Sequence, residues 1–246
     1  MNLSVIIPTY NEEKYIADAI KSVDFADQII VLDSYSNDKT IQIATDMGCL
    51  VLQNKFVNFS TQKNFAIPYA KGKWILFIDA DERVTDSLRK EILEVIKNPG
   101  EHKAFKLRFP HFFINEFLFH KADKVTRLVY NEGVHFTGEV HEKLHTTEGK
   151  TGILKNHVVH LTYKGIFHYM SKKESYSWFQ ASEQFKKKKK VSYYHLAFKP
   201  FYRFFHIYFI KRGYLDKTAG LAGATLDAYG VFARYLKLML LQKGLK

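Results

Sequence analysis

The sequence predicts an α/β fold, and three observations support that prediction. Apolar, β-branched segments alternate with segments of helical periodicity over about the first 100 residues, a pattern typical of a mostly parallel sheet with helices on both faces. The segment 74–78 is an uninterrupted apolar run that leads directly into Asp79-Ala80-Asp81. After about Gly165 the composition becomes helical, basic and aromatic. We therefore expect an α/β domain followed by a helical extension.

The ends of the predicted elements have their own signals. Pro8 stops the first apolar run, Gly72 closes the third predicted helix, and the segment 98–100 (Asn-Pro-Gly) breaks the fourth. The predicted strands are 3–8, 28–32, 50–53 and 74–78, and the predicted helices are 13–24, 38–47, 60–71 and about 86–97. From 103 to 163 the pattern predicts short strands, such as 104–108 and 126–130, separated by polar loops.

The charge of the chain is unevenly distributed. The net charge is +12. Residues 1–170 carry 21 Lys and Arg against 21 Asp and Glu, whereas residues 171–246 carry 16 against 4. A neutral body with a basic, aromatic C-terminal region indicates an anionic partner, either nucleic acid or a phospholipid surface.

The expected location is the cytoplasm, with peripheral attachment to the inner face of the cell membrane. Cys49 is the only cysteine, so no intramolecular disulfide can form, and the first residues lack a secretion signal. The aromatic segment 197–210 is interrupted by Lys199 and Arg203, which favours lying in a membrane interface over crossing it. We expect residues 186–246 to contact an anionic membrane surface. Aromatic helices that simply pack on the domain are the alternative.

Acidic side chains follow several predicted strands. Glu12 comes after the first, Asp33 after the second, and Asp79 with Asp81 after the fourth. A single acid in such a place often caps the next helix, but successive acids at one sheet edge, where α/β proteins bind ligands, favour a binding site. Carboxylate oxygens suit Mg²⁺ or Mn²⁺, and such an ion suits a diphosphate. The pattern therefore predicts a sugar-nucleotide site.

Four ordered motifs resemble those of family 2 glycosyltransferases with the GT-A fold, over about residues 3–145. They are 5–13 (Val-Ile-Ile-Pro-Thr-Tyr-Asn-Glu-Glu), 33–40 (which begins with Asp-Ser and ends with Asp-Lys-Thr), 62–66 (Gln-Lys-Asn-Phe-Ala) and 74–82. The segment 136–144 and the aromatic C-terminal region resemble the branch that adds glucose or heptose to the inner core of lipopolysaccharide. The implied fold is a mostly parallel, Rossmann-like sheet flanked by helices. The implied domains are 1–165 (a nucleotide-sugar half, 1–100, and an acceptor-side half, 101–165) and a helical extension, 166–246.

The resemblance also implies site residues. Asp33 binds the base, Asp79 faces the donor sugar or the ribose, and Asp81 holds the metal. The remaining residues implied near the nucleotide are Pro8, Thr9, Asn11 and Glu12, with Gln62 and Lys63 where the family usually places a basic residue.

The catalytic base of an inverting transfer has two candidates. Glu142 is favoured, because the resemblance places an acid after the Val-His pair, and Glu139 is the alternative. His141 is expected to bind metal or phosphate, or else to be structural. Arg83 is either a phosphate clamp or half of a surface ion pair. The other histidines, including His160, are assigned no role.

The leading hypothesis is a metal-dependent inverting glycosyltransferase that moves a hexose or heptose from a nucleotide-diphosphate sugar, most simply a UDP-sugar, to a lipid-linked glycan acceptor such as lipopolysaccharide core. A nucleic-acid-binding module accounts for the basic region but not for the Asp-x-Asp, so no nucleic-acid partner is expected. A sugar nucleotidyltransferase is the second alternative. Its usual glycine-rich phosphate loop has no counterpart after the first strand.

Overall fold

The computed structural model describes residues 1–113, 116–138, 142–160 and 166–245. These residues form two compact units. The first unit contains residues 1–109 and 123–160, and the second contains the described residues within 110–122 and 161–246. The segment 110–122, which the sequence-based division assigned to the N-terminal domain, therefore belongs to the second unit.

Strands and helices alternate along the N-terminal part of the first unit. The strands are β1 (Leu3–Thr9), β2 (Gln28–Asp33), β3 (Leu50–Gln53), β4 (Trp74–Phe77), β5 (Glu82–Val84), β6 (His102–Phe113), β7 (Glu116–Tyr130), β8 (His135–Thr137), β9 (Lys143–His145) and β10 (Lys150–His160). The helices are α1 (Ile16–Ser22), α2 (Thr40–Asp46), α3 (Phe59–Ala66) and α4 (Asp86–Lys97). The ends of β6 and β7 within 110–122 are counted with the second unit.

Eight strands form one sheet, in the order β3-β2-β1-β4-β7-β6-β10-β5. β1 is parallel to β2 and to β4, with Val5 opposite Ile29 and Leu76, and β2 is parallel to β3. Beyond β4 the sheet is mixed, since β7 is antiparallel to β4 and β5 is antiparallel to β10. The predicted α/β class is confirmed. Strands β1 to β4 of the N-terminal half pair in parallel, and β6 with β10 forms a further parallel pair.

The central strands are buried on both faces. Val5 and Ile7 of β1 belong to one hydrophobic cluster, whereas Ile6 between them belongs to another. Leu76 and Phe77 of β4 divide between the clusters in the same way. Because successive side chains of a strand point to opposite faces, both faces of the sheet are covered. The edge where these strands end is therefore the part of the sheet that a ligand can reach.

Two predicted helix boundaries are wrong for identifiable reasons. α1 begins at Ile16 rather than residue 13, because the Glu12 carbonyl accepts the amide hydrogens of Tyr15 and Ile16 in a preceding turn. α3 ends at Ala66 and is followed by a 3₁₀ turn over Ile67–Tyr69, so Gly72 does not close it. A Cβ at Gly72 would lie 2.4 Å from the Ser4 backbone nitrogen, so glycine allows two backbone segments to approach closely.

The short strands predicted at 104–108 and 126–130 are parts of longer ones. They lie within β6, of 12 residues, and β7, of 15 residues. Strand pairing extends past the segments with a recognisable apolar pattern because backbone hydrogen bonds do not require side-chain periodicity. The three-residue β5 was not predicted at all.

The second unit is helical, which confirms the helical character predicted for the C-terminal region. Its main helices are α5 (Ile166–Lys186), α6 (Lys199–Phe205) and α7 (Lys217–Gln242), joined by the π-helical segments Tyr194–Phe198 and His206–Ile210 and by the 3₁₀ turn Gly213–Asp216. α7 packs against α5 and α6, with Ala181, Tyr235 and Leu238 buried together. Within the described ranges, none of the helices combines the length and the apolar character that crossing a bilayer requires.

Candidate active site

A cavity of about 480 Å³ opens where β1, β2 and β4 end. It brings together most of the predicted site residues, from sequence segments far apart. The described residues that line it are Pro8, Thr9, Tyr10, Glu12, Ser34, Phe56, Phe59, Gln62, Lys63, Asp79, Ala80, Asp81, Arg127, Glu142 and His160. The predicted edge of the parallel strands is therefore the location of the cavity.

Asp79 is held by an arginine that the sequence analysis missed. Arg127 donates from Nη2 to Asp79 Oδ2 at 2.8 Å and to Glu82 Oε1 at 3.1 Å, and the Asp79 amide donates to Glu82 Oε2 at 2.9 Å. Burial disfavours the ionised form of Asp79, but the Arg127 guanidinium outweighs it and lowers the pKa of Asp79 to about 2. Burial raises the pKa of Glu82 to about 7 despite the same arginine. Asp79 is therefore the carboxylate of this pair that carries the charge.

Asp81 is paired with a histidine that had been assigned no role. His160 Nε2 lies 3.2 Å from Asp81 Oδ2. Burial opposes charge on both groups, but their hydrogen bond outweighs it, so the pKa of Asp81 is lowered and the pKa of His160 is raised. Two donor atoms on one octahedral ion, at bond lengths of about 2.1 Å, lie about 3 Å apart. The pair therefore has the spacing of neighbouring ligands on a divalent cation.

Further protein ligands are not evident in the part of the chain that the structure describes. No group of three or more His, Cys, Asp or Glu side chains is arranged there to hold an ion. A site with two protein ligands is open on its remaining sides, which suits Mg²⁺ or Mn²⁺ shared with substrate phosphates. His141, predicted as a metal or phosphate ligand, lies outside the described residues.

Glu142, the favoured base, forms an ion pair with Lys63. Lys63 Nζ lies 2.5 Å from Glu142 Oε1, and the lysine side chain is 4% exposed. The other carboxylate oxygen, Glu142 Oε2, is buried and has no hydrogen-bond partner among the described residues. Lys63 therefore orients one oxygen, and the second is left without a described hydrogen-bond partner. Glu139, the alternative base, lies outside the described residues.

Asp33 and Asn11 organise the two loops beside the cavity. Asp33 is fully buried and accepts hydrogen bonds from the Ser36 amide at 2.9 Å and the Ser36 hydroxyl at 2.5 Å. The same Ser36 hydroxyl accepts from the Asn11 amide, and Asn11 Oδ1 accepts from the Asn37 amide, both at 2.8 Å. Asn11 has φ +54°, a conformation that asparagine tolerates better than most residues. The base contact assigned to Asp33 stays a prediction.

The other residues predicted near the nucleotide either line the cavity or support its wall. Thr9 is buried, and its Oγ1 has no hydrogen-bond partner among the described residues. Gln62 donates to Ser34 Oγ at 3.0 Å and to the Asn54 carbonyl at 3.1 Å, which connects three segments of the wall. Pro8 and Glu12 also line the cavity. Their functional roles stay predictions.

Three further residues lie in or near this region. Arg83 donates to the carbonyls of Ala80, Glu82 and Tyr15 and so supports the turn after β4. Its roles as a phosphate clamp or as half of a surface ion pair stay predictions. Phe56 and Phe59, with ring centroids 5.1 Å apart, line the cavity and are 45% and 55% exposed. The only sequence signal for Phe56 and Phe59 was the presence of two phenylalanines three positions apart.

Arg127 and His160 had no sequence signal of their own. Arg127 lies on β7, where Leu128 pairs with Leu76 of β4, so the pairing brings the arginine beside the end of β4. His160 is the last residue of β10 and pairs with Glu82 of β5. Both positions depend on strand pairing and not on local pattern.

A covered α/β sheet with an acidic cavity at its strand ends agrees with the GT-A fold expected from the sequence. Residues 4–207 match the family model described as Glycosyl transferase family 2. The chain belongs to this family and is therefore a sugar-transferring enzyme. Family membership favours the leading hypothesis over the nucleic-acid-binding module and the nucleotidyltransferase.

Relatives extend the similarity over nearly the whole chain. An uncharacterized glycosyltransferase of Rickettsia felis is 30% identical over 258 residues, covering 99% of this chain and 90% of the relative. The lipopolysaccharide core biosynthesis glycosyltransferase LpsC of Rhizobium meliloti is 25% identical over 253 residues, covering 95% and 93%. A crystal structure of glucosyl-3-phosphoglycerate synthase from Mycobacterium tuberculosis, with Mn²⁺, UDP-glucose and phosphoglyceric acid, is similar over 44% of each chain, with 23% identity and a TM-score of 0.40.

Proposed function

We propose that this enzyme transfers a hexose or heptose from a nucleotide-diphosphate sugar, with a UDP-sugar favoured, to a lipid-linked glycan such as lipopolysaccharide core. The proposed reaction inverts the transferred carbon and uses Mg²⁺ or Mn²⁺. The observation that carries the proposal is the convergence of Asp79, Asp81, His160 and Arg127 on one cavity.

Asp81 and His160 are the proposed metal ligands. Their 3.2 Å separation supports ligation of one ion by both. A bound divalent ion neutralises charge on the departing diphosphate as a Lewis acid. Asp81 would offer the ion a carboxylate oxygen, and His160 would offer it a neutral ring nitrogen.

Asp79 and the phenylalanines are proposed to position the donor. Arg127 keeps Asp79 ionised and fixes its direction, so Asp79 is suited to accept hydrogen bonds from hydroxyls of the ribose or the donor sugar. Phe56 and Phe59 offer partly exposed ring faces on which a nucleobase can stack. Such contacts would direct the diphosphate toward Asp81.

Glu142 is the proposed base. In the proposed step the acceptor hydroxyl oxygen bonds to the anomeric carbon while the bond from that carbon to the diphosphate oxygen breaks. The hydroxyl proton passes to Glu142 Oε2, the oxygen without a described partner, and Lys63 holds Oε1. Glu139 remains the alternative.

A lipid-linked acceptor is supported by the name of the LpsC relative and by the surface of the second unit. Phe198, Phe201, Phe205 and Phe209 recur at helical spacing and are 43–65% exposed. Aromatic rings that follow a basic run in the sequence, here 186–190, are typical of segments that lie in an anionic membrane interface. We propose that residues 186–246 hold the enzyme at the cytoplasmic membrane face, where such an acceptor is presented.

The donor proposal is tested by calorimetry on the full chain with UDP and ADP, each with and without Mn²⁺. UDP should bind more tightly than ADP, and Mn²⁺ should strengthen binding about tenfold or more, since the ion links the carboxylate to the diphosphate. Equal binding with and without Mn²⁺ would argue against the metal site. Tighter binding of ADP would leave the proposed metal site unaffected and would indicate that the donor carries adenosine and not uridine.

The membrane proposal is tested by sedimentation with phosphatidylglycerol vesicles. Phe201→Ser with Phe205→Ser should weaken vesicle binding about tenfold or more, because two rings lose their burial in the interface. Phe179→Ser, at a 64% exposed position on α5, is the matched control. Equal sedimentation of all the proteins would remove this part of the proposal.

A further inference from the structure

A second cavity, of about 510 Å³, lies entirely within the second unit. Side chains from α5, α6, α7 and the π-helical segment before α6 line it. Its described lining contains four cations and a single carboxylate, Asp227. The cations are Lys173, Lys199, Arg203 and Arg234. The cavity therefore carries an excess of positive charge.

Asp227 neutralises only part of this charge. It pairs closely with Lys173 and lies 3.8 Å from Arg203 Nη2. The other two cations contact neutral groups. Lys199 Nζ donates to the Tyr235 hydroxyl at 2.9 Å, and Arg234 Nη1 donates to Gln180 Oε1 at 3.0 Å.

Arg234 also has unused hydrogen-bonding capacity. Its Nε is buried and has no hydrogen-bond partner among the described residues. A buried donor without a partner costs free energy. Solvated surface lysines, such as those of the 186–190 run, do not have this feature.

The positive potential affects neighbouring groups. Lys199 and Arg234 lie 5.0 and 4.7 Å from the Tyr235 ring centroid. Although burial works in the opposite direction, the Lys199 hydrogen bond and the surrounding cations lower the pKa of Tyr235. Burial, together with the Lys199 and Lys189 charges, lowers the pKa of His195. The Tyr235 shift has the sign expected where cations outnumber anions, whereas the His195 shift is due first to burial.

We infer that this cavity is a phosphate-binding site, in which Arg203 and Arg234 bind the oxyanion and Lys199 adds charge. Guanidinium groups match the oxygen geometry of phosphate and bind it bidentately. The exposed rings of Tyr176 and Tyr202 at the same cavity offer apolar surface to whatever carries the phosphate. Phospholipid headgroups and free phosphorylated sugars share this chemistry. The inference requires neither the proposed sugar transfer nor the proposed aromatic membrane contact.

The test uses the full chain and two probes, inorganic phosphate in solution and phosphatidylcholine vesicles containing phosphatidic acid. Arg203→Gln combined with Arg234→Gln should weaken binding of at least one probe about tenfold or more, because charge-assisted hydrogen bonds are lost. Lys90→Gln with Lys97→Gln removes two charges at exposed positions of α4, outside the cavity and outside residues 186–246, and should leave affinity for both probes within about twofold of wild type.

Each outcome has a defined meaning. A loss confined to vesicles identifies a lipid headgroup, and a loss confined to soluble phosphate identifies a free phosphorylated ligand. Wild-type protein that binds neither probe overturns the inference, as does an arginine variant that binds both like wild type. If the double variant shows a lowered melting temperature, the test is repeated with Arg203→Gln alone, because that side chain is 46% exposed and its replacement should disturb the fold least. UDP binding, measured in parallel, reports separately on the donor site.

Discussion

The two cavities contain charge clusters of opposite composition. In the first unit one cation, Arg127, is shared by Asp79 and Glu82, at 2.8 and 3.1 Å. In the second unit one carboxylate, Asp227, is shared by Lys173 and, at 3.8 Å, Arg203. The first cavity is therefore rich in acids and the second is rich in cations, although both belong to one chain.

The difference indicates what each cavity is suited to bind. Asp79, Asp81, Glu12 and Glu142 line the first cavity, where an additional cation lowers the repulsion among carboxylates. The described lining of the second cavity has one carboxylate against four cations and is suited to supply hydrogen-bond donors to an anion. The charge that remains after internal pairing, and not the total charge of a region, therefore predicts the class of ligand.

The largest expected effect is from Asp81→Asn. Transfer should fall about 1000-fold or more, because Lewis-acid stabilisation of a leaving group is worth several kcal/mol. Initial rates with a UDP-sugar and Mn²⁺ measure the change. Asp46→Asn, at an exposed position, is the control and should retain wild-type rates. Nearly normal transfer by Asp81→Asn would mean that the acidic cavity does not act through a metal.

The stability of the two clusters should respond differently to loss of a cation. Arg127→Met leaves Asp79 and the buried Glu82 without their shared partner and should lower the free energy of unfolding by about 3 kcal/mol or more. Lys173→Met leaves Asp227 with Arg203 and should cost about 1–2 kcal/mol. Urea denaturation measures both. Equal losses of unfolding free energy would show that the effect of removing a cation does not depend on whether the remaining carboxylate keeps a second cationic partner.

Glu142→Gln should reduce turnover about 100-fold while UDP binding stays close to wild type, because the amide cannot accept the acceptor's proton. The variant keeps the size of the side chain and an oxygen for Lys63. Glu148→Gln, at an exposed position, serves as the matched control. Undiminished turnover by Glu142→Gln would transfer the role of base to Glu139 or another residue.

The smallest effect is expected from the neutral side of the first cavity. Phe56→Ala should weaken UDP binding about threefold to tenfold, as expected for loss of one stacking contact. Calorimetry at constant Mn²⁺ measures it, with Phe179→Ala as the control for removing an exposed ring. If binding stays unchanged, the nucleobase does not stack on Phe56.

Local sequence patterns were sufficient for some features and insufficient for others. α4 was predicted with its observed limits because Thr85 caps its first turn and Leu88 and Ile92 lie on one buried face. The limits of α1 depended on a turn built from the Glu12 carbonyl, which has no periodic signal. In the site, the acids after the strands were recognisable as residues, but their hydrogen-bond partners were not.

The sequence alone determined the α/β class, the parallel direction of the first strands and the placement of Asp79 and Asp81 at the end of a strand, because these depend on periodicity over a few residues. Tertiary structure alone decided that Arg127 holds Asp79 across 48 residues and that His160 contacts Asp81 across 79 residues. It also enclosed Asp33 with Ser36. Such contacts depend on which strands and loops become neighbours in space, and that pairing is chosen by the energy of the whole sheet and not by any short segment.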